Sequence, residues 1–200
     1  MGELSEKSPL CYRSMESTRE NNGGARGFDC GRCGKFKVHV PLIGNLKANE
    51  RIQLSGVTRE ATELNRERVL ITLDNYQELL AMAPTRIPDR AIRLLSVVAR
   101  RTKFFGEWKW LHLEDDVPLA YAQNSDEFNN LLNYLRDTGL VELGPRTMGS
   151  TTLEVRITPK GFETLEARVP TGLESDSAFV AMWFDESIGE LLSKVVDEVS

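Results

Sequence analysis

Three cysteines are the residues of this 200-residue chain whose types and spacing point most directly to chemistry. Cys30 and Cys33 are separated by two residues and followed by Gly34, which is the pattern of a zinc knuckle. Two thiolates on a tight turn present half of a tetrahedral zinc site, and the glycine lets backbone N–H groups face the sulfurs. Cys11 supplies a third candidate ligand, and His39 could complete a site of three cysteines and one histidine.

The same cysteines allow a second interpretation, in which the knuckle is held by packing alone and the three thiols are buried or half-exposed without a metal. A catalytic cysteine is the least favoured reading, because no constellation of His, Asn or Asp accompanies any of the three. A disulfide framework is also disfavoured, because the N-terminus carries no export signal pattern. The sequence therefore leaves structural zinc and metal-free packing open.

A second stretch with chemical potential lies near the C-terminus. The apolar run Ala178–Met182 is typical of a strand buried on both faces, and Asp185 is placed to cap a helix whose apolar stripe runs from Ile188 to Val199. This order predicts the first strand–helix unit of a doubly wound α/β domain. Ligands of such sheets bind outside the carboxyl ends of the strands. The candidate nucleotide-binding residues are therefore Met182, Trp183, Phe184 and Asp185, unless both aromatic residues belong to the core and Asp185 only caps the helix.

The stretch Ser177–Asp185 resembles the opening strand of a bacterial TIR-like domain of the nucleoside 2-deoxyribosyltransferase-like superfamily. What precedes it resembles the N-terminal region found before such domains. The resemblance implies cleavage or transfer at an N-glycosidic bond, with NAD or another nucleotide as substrate of the complete form. The catalytic carboxylate of that superfamily lies on a later element, so we expect the chain to be truncated, with no catalytic residue and no activity of its own. In the resembling N-terminal regions a second Cys-x-x-Cys pair completes the zinc site, and here the matching place holds Cys11 to Ser14, with Ser14 at the fourth position.

Between these stretches, the hydrophobic pattern predicts two further units. A helix from about residue 43 to 66, a strand at 69–73 and a short helix to residue 80 make, with the knuckle, an α+β domain over residues 27–85, preceded by a polar segment at 1–26. A break at Ala83–Pro88 separates it from residues 88–168, where helix, strand, helix, helix, strand and strand follow in the order of a winged helix. The stretches Asn130–Val141 and Ile157–Gly161 resemble many winged-helix modules. Residues 169–176 are a linker to the incomplete α/β unit at 177–200, so the predicted fold class is α+β.

Charge and composition limit the function classes. A net charge of −5, with 40% hydrophobic and 28% charged residues, is that of an ordinary globular protein. No apolar run reaches the length of a membrane span, and without an export signal the cytoplasm is the expected compartment. The predicted recognition helix after Ser125 carries Asp126, Glu127 and Asp137 against Arg136. Because neutralisation of phosphates dominates DNA affinity, we expect DNA binding to be weak or absent.

Two features of the predicted winged helix have competing interpretations. Trp108 and Trp110 alternate along one strand and could form a base-stacking platform, but two indoles at this spacing are expected to be core. The acidic run Glu114–Asp116 is interpreted as charge at a helix N-terminus rather than as a metal cluster.

The leading hypothesis is a sensing and oligomerising N-terminal region that controls a TIR-like nucleotide-processing domain. A homo-oligomer or a protein partner follows from it, and a role in bacterial defence is implied by the resemblance alone. The alternatives are a regulator that binds DNA through the winged helix and an inactive fragment.

Overall fold

The computed structural model describes residues 6–15, 24–145 and 149–168, and all of them belong to one compact unit. The protein is of mixed α+β class, as the sequence predicts. The predicted linker, the strand Ala178–Met182 and the helix after it lie outside the described residues. No helix in the described ranges is long and apolar enough to cross a lipid bilayer.

The first half of the described chain contains two antiparallel hairpins. Strand β1 (Glu6–Lys7) pairs with β2 (Ser14–Met15), and β3 (Ala25–Cys30) pairs with β4 (Gly34–His39). After a short 3-10 helix (Val40–Leu42) come α1 (Ala48–Glu63), β5 (Val69–Ile71) and α2 (Tyr76–Ala81). Strand β5 joins β4 in parallel, which gives a three-stranded sheet in the order β3-β4-β5.

A first hydrophobic core lies between this sheet and α1. Phe28 and Phe36 are directly paired across β3 and β4, and their rings stack with centroids 5.3 Å apart. Leu54 of α1 and Ile71 of β5 are fully buried beside them. Leu10, from the turn between β1 and β2, packs into the same core, so the first hairpin is anchored by an apolar side chain.

Strand β3 is an element that the sequence pattern does not predict. Residues 21–26 have the composition of a loop, yet β3 starts at Ala25. Ala25 and Gly27 are buried but carry little hydrophobic signal, and Arg26 and Asp29 are exposed. The strand is specified by its pairing with β4, which is a tertiary effect.

The second half follows the element order predicted from the sequence. Helix α3 (Ile87–Arg101) is followed by β6 (Lys109–His112), a 3-10 helix (Val117–Ala120), α4 (Ser125–Asp137), β7 (Val141–Leu143), β8 (Thr152–Ile157) and α5 (Pro159–Glu166). The three strands are antiparallel in the order β6-β8-β7. A second core forms where α3 and α4 cover this sheet, with Leu94, Leu111, Phe128, Leu132 and Val155 fully buried.

The prediction that Trp108 and Trp110 belong to the core is wrong. Trp110 is 57% exposed and Trp108 36% exposed, whereas Leu111 is fully buried and Leu113 nearly so. The alternation is present, but the leucines face the core and the indoles face outward. Trp108 is covered instead by the guanidinium of Arg156, 4.6 Å from its ring centroid, in a cation–π contact.

A buried ionic network joins the two cores. The carboxylate of Asp116, with 2% of the residue exposed, accepts hydrogen bonds from the backbone N–H of His112 at 2.9 Å, from Arg101 at 3.1 Å and from Arg59 at 3.3 Å. Arg59 and Arg101 also pair with Glu63, at 3.1 and 2.7 Å. Because Arg59 and Glu63 belong to α1 while Arg101 belongs to α3, one buried carboxylate connects elements of both halves.

Glu114 and Asp115, the other two residues of the acidic run, also form ion pairs between the two halves of the described chain. Arg13, from the first hairpin, binds Glu114 at 2.8 Å and also pairs with Asp115. The expectation that these acids act as charge at a helix N-terminus is therefore incomplete. Asp116 does precede the 3-10 helix, but its carboxylate makes no cap to that helix and is used by the arginines instead.

Candidate metal centre

Cys30 and Cys33 are positioned by the turn between β3 and β4. Cys30 is the last residue of β3, and Gly34, which opens β4, pairs with it across the hairpin. Gly34 has a φ of +81°, the left-handed region that glycine adopts without strain. A Cβ at this position would also collide with Thr62 Oγ1 and the backbone oxygen of Thr58, so glycine is required for both reasons.

Cys11 is positioned by the turn between β1 and β2. The turn is closed by hydrogen bonds from the backbone N–H of Tyr12 to the oxygen of Ser8 at 2.8 Å and from the N–H of Ser8 to the oxygen of Arg13 at 2.9 Å. Tyr12 has a φ of +59°, which is unusual for a residue with a side chain. The residue after Cys11 thus has the same left-handed backbone as the glycine after Cys33.

The three sulfurs, predicted from the sequence as zinc ligands, come together in the folded chain. The Sγ atoms of Cys11, Cys30 and Cys33 all lie within 4.8 Å of one another, and those of Cys11 and Cys30 are 3.6 Å apart. Tetrahedral zinc with Zn–S bonds of about 2.3 Å places its sulfurs about 3.8 Å apart. Cys33 is fully buried and Cys30 nearly so, which shields the centre from water. The donor set therefore fits a metal ion.

The electrostatics of the cluster favour a thiolate at Cys30. Hydrogen bonds from the thiols of Cys11 and Cys33 are the largest causes that hold the pKa of Cys30 far below its usual value, and burial opposes them. The backbone N–H groups of Cys33 and Arg32 add to the same effect. These N–H groups, directed at the first sulfur of the turn, are what a knuckle needs to stabilise thiolate charge. The pKa of Cys33 is raised, first by its hydrogen bonds with Cys11 and Cys30 and then by burial.

Two serine hydroxyls lie beside Cys33, and the first belongs to Ser8, which the cysteine spacing does not predict as a ligand. Ser8 is fully buried, and its Oγ lies 3.8 Å from Cys33 Sγ. A second hydroxyl, Ser55 of α1, donates to Cys33 Sγ at 3.1 Å from the other side. Ser8 precedes Cys11 by three positions, as Cys30 precedes Cys33, so the first turn repeats the spacing of the second with serine in the leading place.

Neither of the residues proposed from the sequence for the fourth position lies there. Ser14 is exposed and belongs to β2, where it pairs with Lys7. His39 is the last residue of β4, five residues beyond Gly34, which puts it about 16 Å along the strand from the turn. Among the described His, Cys, Asp and Glu residues, only the three cysteines come together in a cluster that could hold a metal ion. The signal that could have found Ser8 is the repeated spacing, read backward from Cys11.

The other predicted site, Met182, Trp183, Phe184 and Asp185, lies outside the described residues. Comparison with known proteins adds no assignment: no family model, no curated protein and no solved structure matches this chain.

Proposed function

We propose that Cys11, Cys30 and Cys33 hold a structural zinc ion. The observation that carries the proposal is the convergence of three sulfurs from two separate hairpins, all within 4.8 Å of one another. Zinc suits thiolate ligands and tetrahedral geometry, and it has no redox chemistry of its own that would make the centre reactive. The fourth ligand is then the hydroxyl of Ser8 or a water molecule.

A metal would explain how the first hairpin is held in place. Strands β1 and β2 have only two residues each, and an isolated hairpin of that length is not stable in water. The described contacts that attach the hairpin to the rest of the protein are the packing of Leu10 and Met15, the Tyr12–Arg51 contact, the ion pairs of Arg13, and Ser8 and Cys11 at the sulfur cluster. Zinc bonds from Cys11 to the β3–β4 turn would fix it at a defined position.

The test is metal analysis of the purified protein. Under reducing conditions we expect about one equivalent of zinc per chain, because a site of this kind binds during folding. Cys33→Ser should abolish zinc binding. Zinc that a mild chelator strips from the wild-type protein as easily as from Cys33→Ser would not be the bound ion expected here. Less than about a tenth of an equivalent in the wild-type protein would leave packing as the only account of the three thiols.

For the whole protein, the proposed role is that of a sensing and oligomerising N-terminal region that controls a TIR-like, nucleotide-processing domain beginning near Ser177. The resemblance of Ser177–Asp185 supports the second part, with Met182, Trp183, Phe184 and Asp185 as one wall of the nucleotide site. The exposed aromatic side chains support the first part: Phe104, Phe105 and Trp110 are 65%, 69% and 57% exposed. Aromatic residues on a surface are typical of contacts with another protein or a second copy.

The nucleotide-processing part is tested with a form of the protein extended beyond Ser200. It should release nicotinamide from NAD or a free base from a nucleoside, Asp185→Ala should slow that release, and the 200-residue chain should be inactive. Turnover by the short chain, or an extended form unaffected by changes at both Phe184 and Asp185, would contradict this proposal.

The alternative is a DNA-binding regulator. It is favoured by the element order of the second half, which is that of a winged helix. It is opposed by the outward face of α4, where Asp126, Arg136 and Asp137 are exposed and Arg136 is paired with Asp137 at 2.9 Å. A helix whose basic residue is already paired offers little to phosphates. We therefore infer that this surface recognises protein rather than DNA.

A further inference from the structure

A cavity of about 290 Å³ lies beside the cysteine cluster, where the first two turns of α1 face the β1–β2 turn and the end of the 3-10 helix before α4. Its floor is one side of α1, because Ala48, Arg51, Ile52 and Ser55 all line it at helical spacing. The opposite walls come from Tyr12 and from the Pro118–Gln123 segment. The cavity therefore has walls from both halves of the described chain.

The charge of this cavity is unlike the rest of the protein. Its two charged lining residues are Arg32 and Arg51, and no acidic side chain lines it, although the chain has a net charge of −5. Other arginines of the described residues face carboxylates; these are Arg13, Arg59, Arg90, Arg93 and Arg101. The cavity arginines thus form a local excess of positive charge without a counter-ion from the described chain.

Among the residues that the structure describes, no carboxylate pairs with either guanidinium. The Nε of Arg32 is buried and has no hydrogen-bond partner among the described residues, which is costly for a charged donor. Arg51 donates from Nη1 to the backbone oxygen of Leu46 at 2.5 Å, and its guanidinium lies 4.8 Å from the ring centroid of Tyr12. These contacts hold Arg51 in place and leave its charge unpaired.

The N-terminus of α1 also favours a negatively charged ligand in the cavity. Ala48 is the first residue of the 16-residue helix α1, so the cavity adjoins the positive end of the helix dipole. The side chains of Arg51 and Arg32 and the N-terminus of α1 thus lie at one space. Such donors bind oxyanions, and guanidinium groups bind them through paired N–H bonds.

We propose that this cavity binds a small ligand carrying a phosphate group, with Arg32 and Arg51 as the residues that hold the phosphate. Two guanidinium groups with no carboxylate among the lining residues match a phosphate dianion better than a ligand with a single carboxylate. Tyr12 at 54% exposed and Gln123 stand at the rim, where they are placed to contact the remainder of the ligand. The inference goes beyond the metal centre, since neither arginine is a proposed ligand of zinc, and it names a ligand class for the sensing role.

The test is calorimetric titration of the purified chain with inorganic phosphate, with acetate in a parallel titration, at constant ionic strength. Phosphate should bind saturably, and acetate should bind at least roughly tenfold more weakly, because phosphate has more acceptor oxygens and more negative charge for the two guanidinium groups. Arg51→Gln should weaken phosphate binding by roughly tenfold or more. The matched control is Arg66→Gln, which removes the same charge from an exposed residue away from the cavity, and it should leave binding unchanged.

Three outcomes would overturn the inference. They are the absence of saturable phosphate binding, equal weakening by Arg51→Gln and Arg66→Gln, and tighter binding of acetate than of phosphate. Circular dichroism and zinc content are measured on each variant, and Arg51→Lys, which keeps a positive charge, is included in case Arg51→Gln fails to fold. Phosphate binding by protein that is purified without zinc would refute the zinc site and support the phosphate site. The zinc proposal and the phosphate proposal can therefore fail independently.

Discussion

Replacing Ser8 by cysteine provides the sharpest test of how the metal centre is built. The structure puts Ser8 Oγ 3.8 Å from Cys33 Sγ, at the spacing that two sulfurs have on a tetrahedral zinc ion. Ser8→Cys should therefore complete a site of four cysteines, whereas Ser14→Cys adds a thiol on an exposed strand position that does not face the cluster. The two substitutions make the same chemical change at positions that the structure treats differently.

The expected magnitude follows from the energetics of zinc sites. Four-ligand sites bind zinc with about 10–16 kcal/mol near neutral pH, or about 3 kcal/mol for each ligand. Replacing a weak hydroxyl ligand or water by a thiolate at Ser8 should then tighten zinc binding by roughly a hundredfold. Ser14→Cys should change it by less than about threefold.

The assay is competition for zinc with a chromophoric chelator. The absorption of the cobalt-substituted protein supports it, because the intensity of the thiolate bands should rise from that of three sulfurs to that of four in Ser8→Cys alone. Equal tightening by both variants would refute the assignment of Ser8 to the fourth position. Tightening by Ser14→Cys alone would restore the arrangement expected from the sequence.

The remaining predictions concern stability and DNA. Asp116→Asn should lower the free energy of unfolding by about 3 kcal/mol in urea denaturation, because it removes the charge of a buried carboxylate that binds two half-buried arginines. The control Asp115→Asn, on the more exposed pair with Arg13, should cost less than about 1 kcal/mol. Arg90 donates to Glu127 and holds the pKa of Glu127 below its ordinary value of 4.5, so this pair stabilises the fold above pH 4.5 and loses its effect as the pH falls through the lowered value. Glu127→Gln should accordingly lower the melting temperature at neutral pH and match the wild-type protein in strong acid; a constant difference at all pH values would contradict the ion pair. Electrophoretic mobility shifts should show weak, sequence-independent DNA binding at most, and a nanomolar, sequence-dependent shift at physiological salt would be the contrary result.

Elements with local signals could be predicted from the sequence. Helix α4 has its N-cap at Asn124, whose side chain accepts from the N–H of Glu127 at 2.9 Å, and Gly139 beyond its end has a φ of +75°, both as expected from residue type. The order of β7 and β8 after α4 could also be predicted, because apolar residues alternate with charged ones along both strands and turn residues separate them.

The features that could not be predicted depend on contacts between distant parts of the chain. Alternation along β6 defines two faces, but only the packing of Leu111 against the second core decides that Trp110 faces outward. The spacing of Cys30 and Cys33 predicts half of the metal centre. Cys11 and Ser8 belong to another hairpin, and only tertiary packing places them beside the first two sulfurs. A search for metal ligands in the sequence does not select Ser8, because serine rarely binds a metal ion.

The buried carboxylate of Asp116 connects α1 to α3 and so joins the two cores of the described residues. A ligand that binds only the folded unit stabilises it by mass action, about 2.7 kcal/mol at a concentration a hundredfold above its dissociation constant. Because Arg59 of α1 and Arg101 of α3 bind the same carboxylate, we expect the two cores to unfold together, so that this gain extends to α3, α4 and α5, none of which carries a cysteine. Metal supply would thus set the fraction of the protein in which Trp108 and Trp110 are presented to a partner, although His112 of β6 does not belong to the metal cluster.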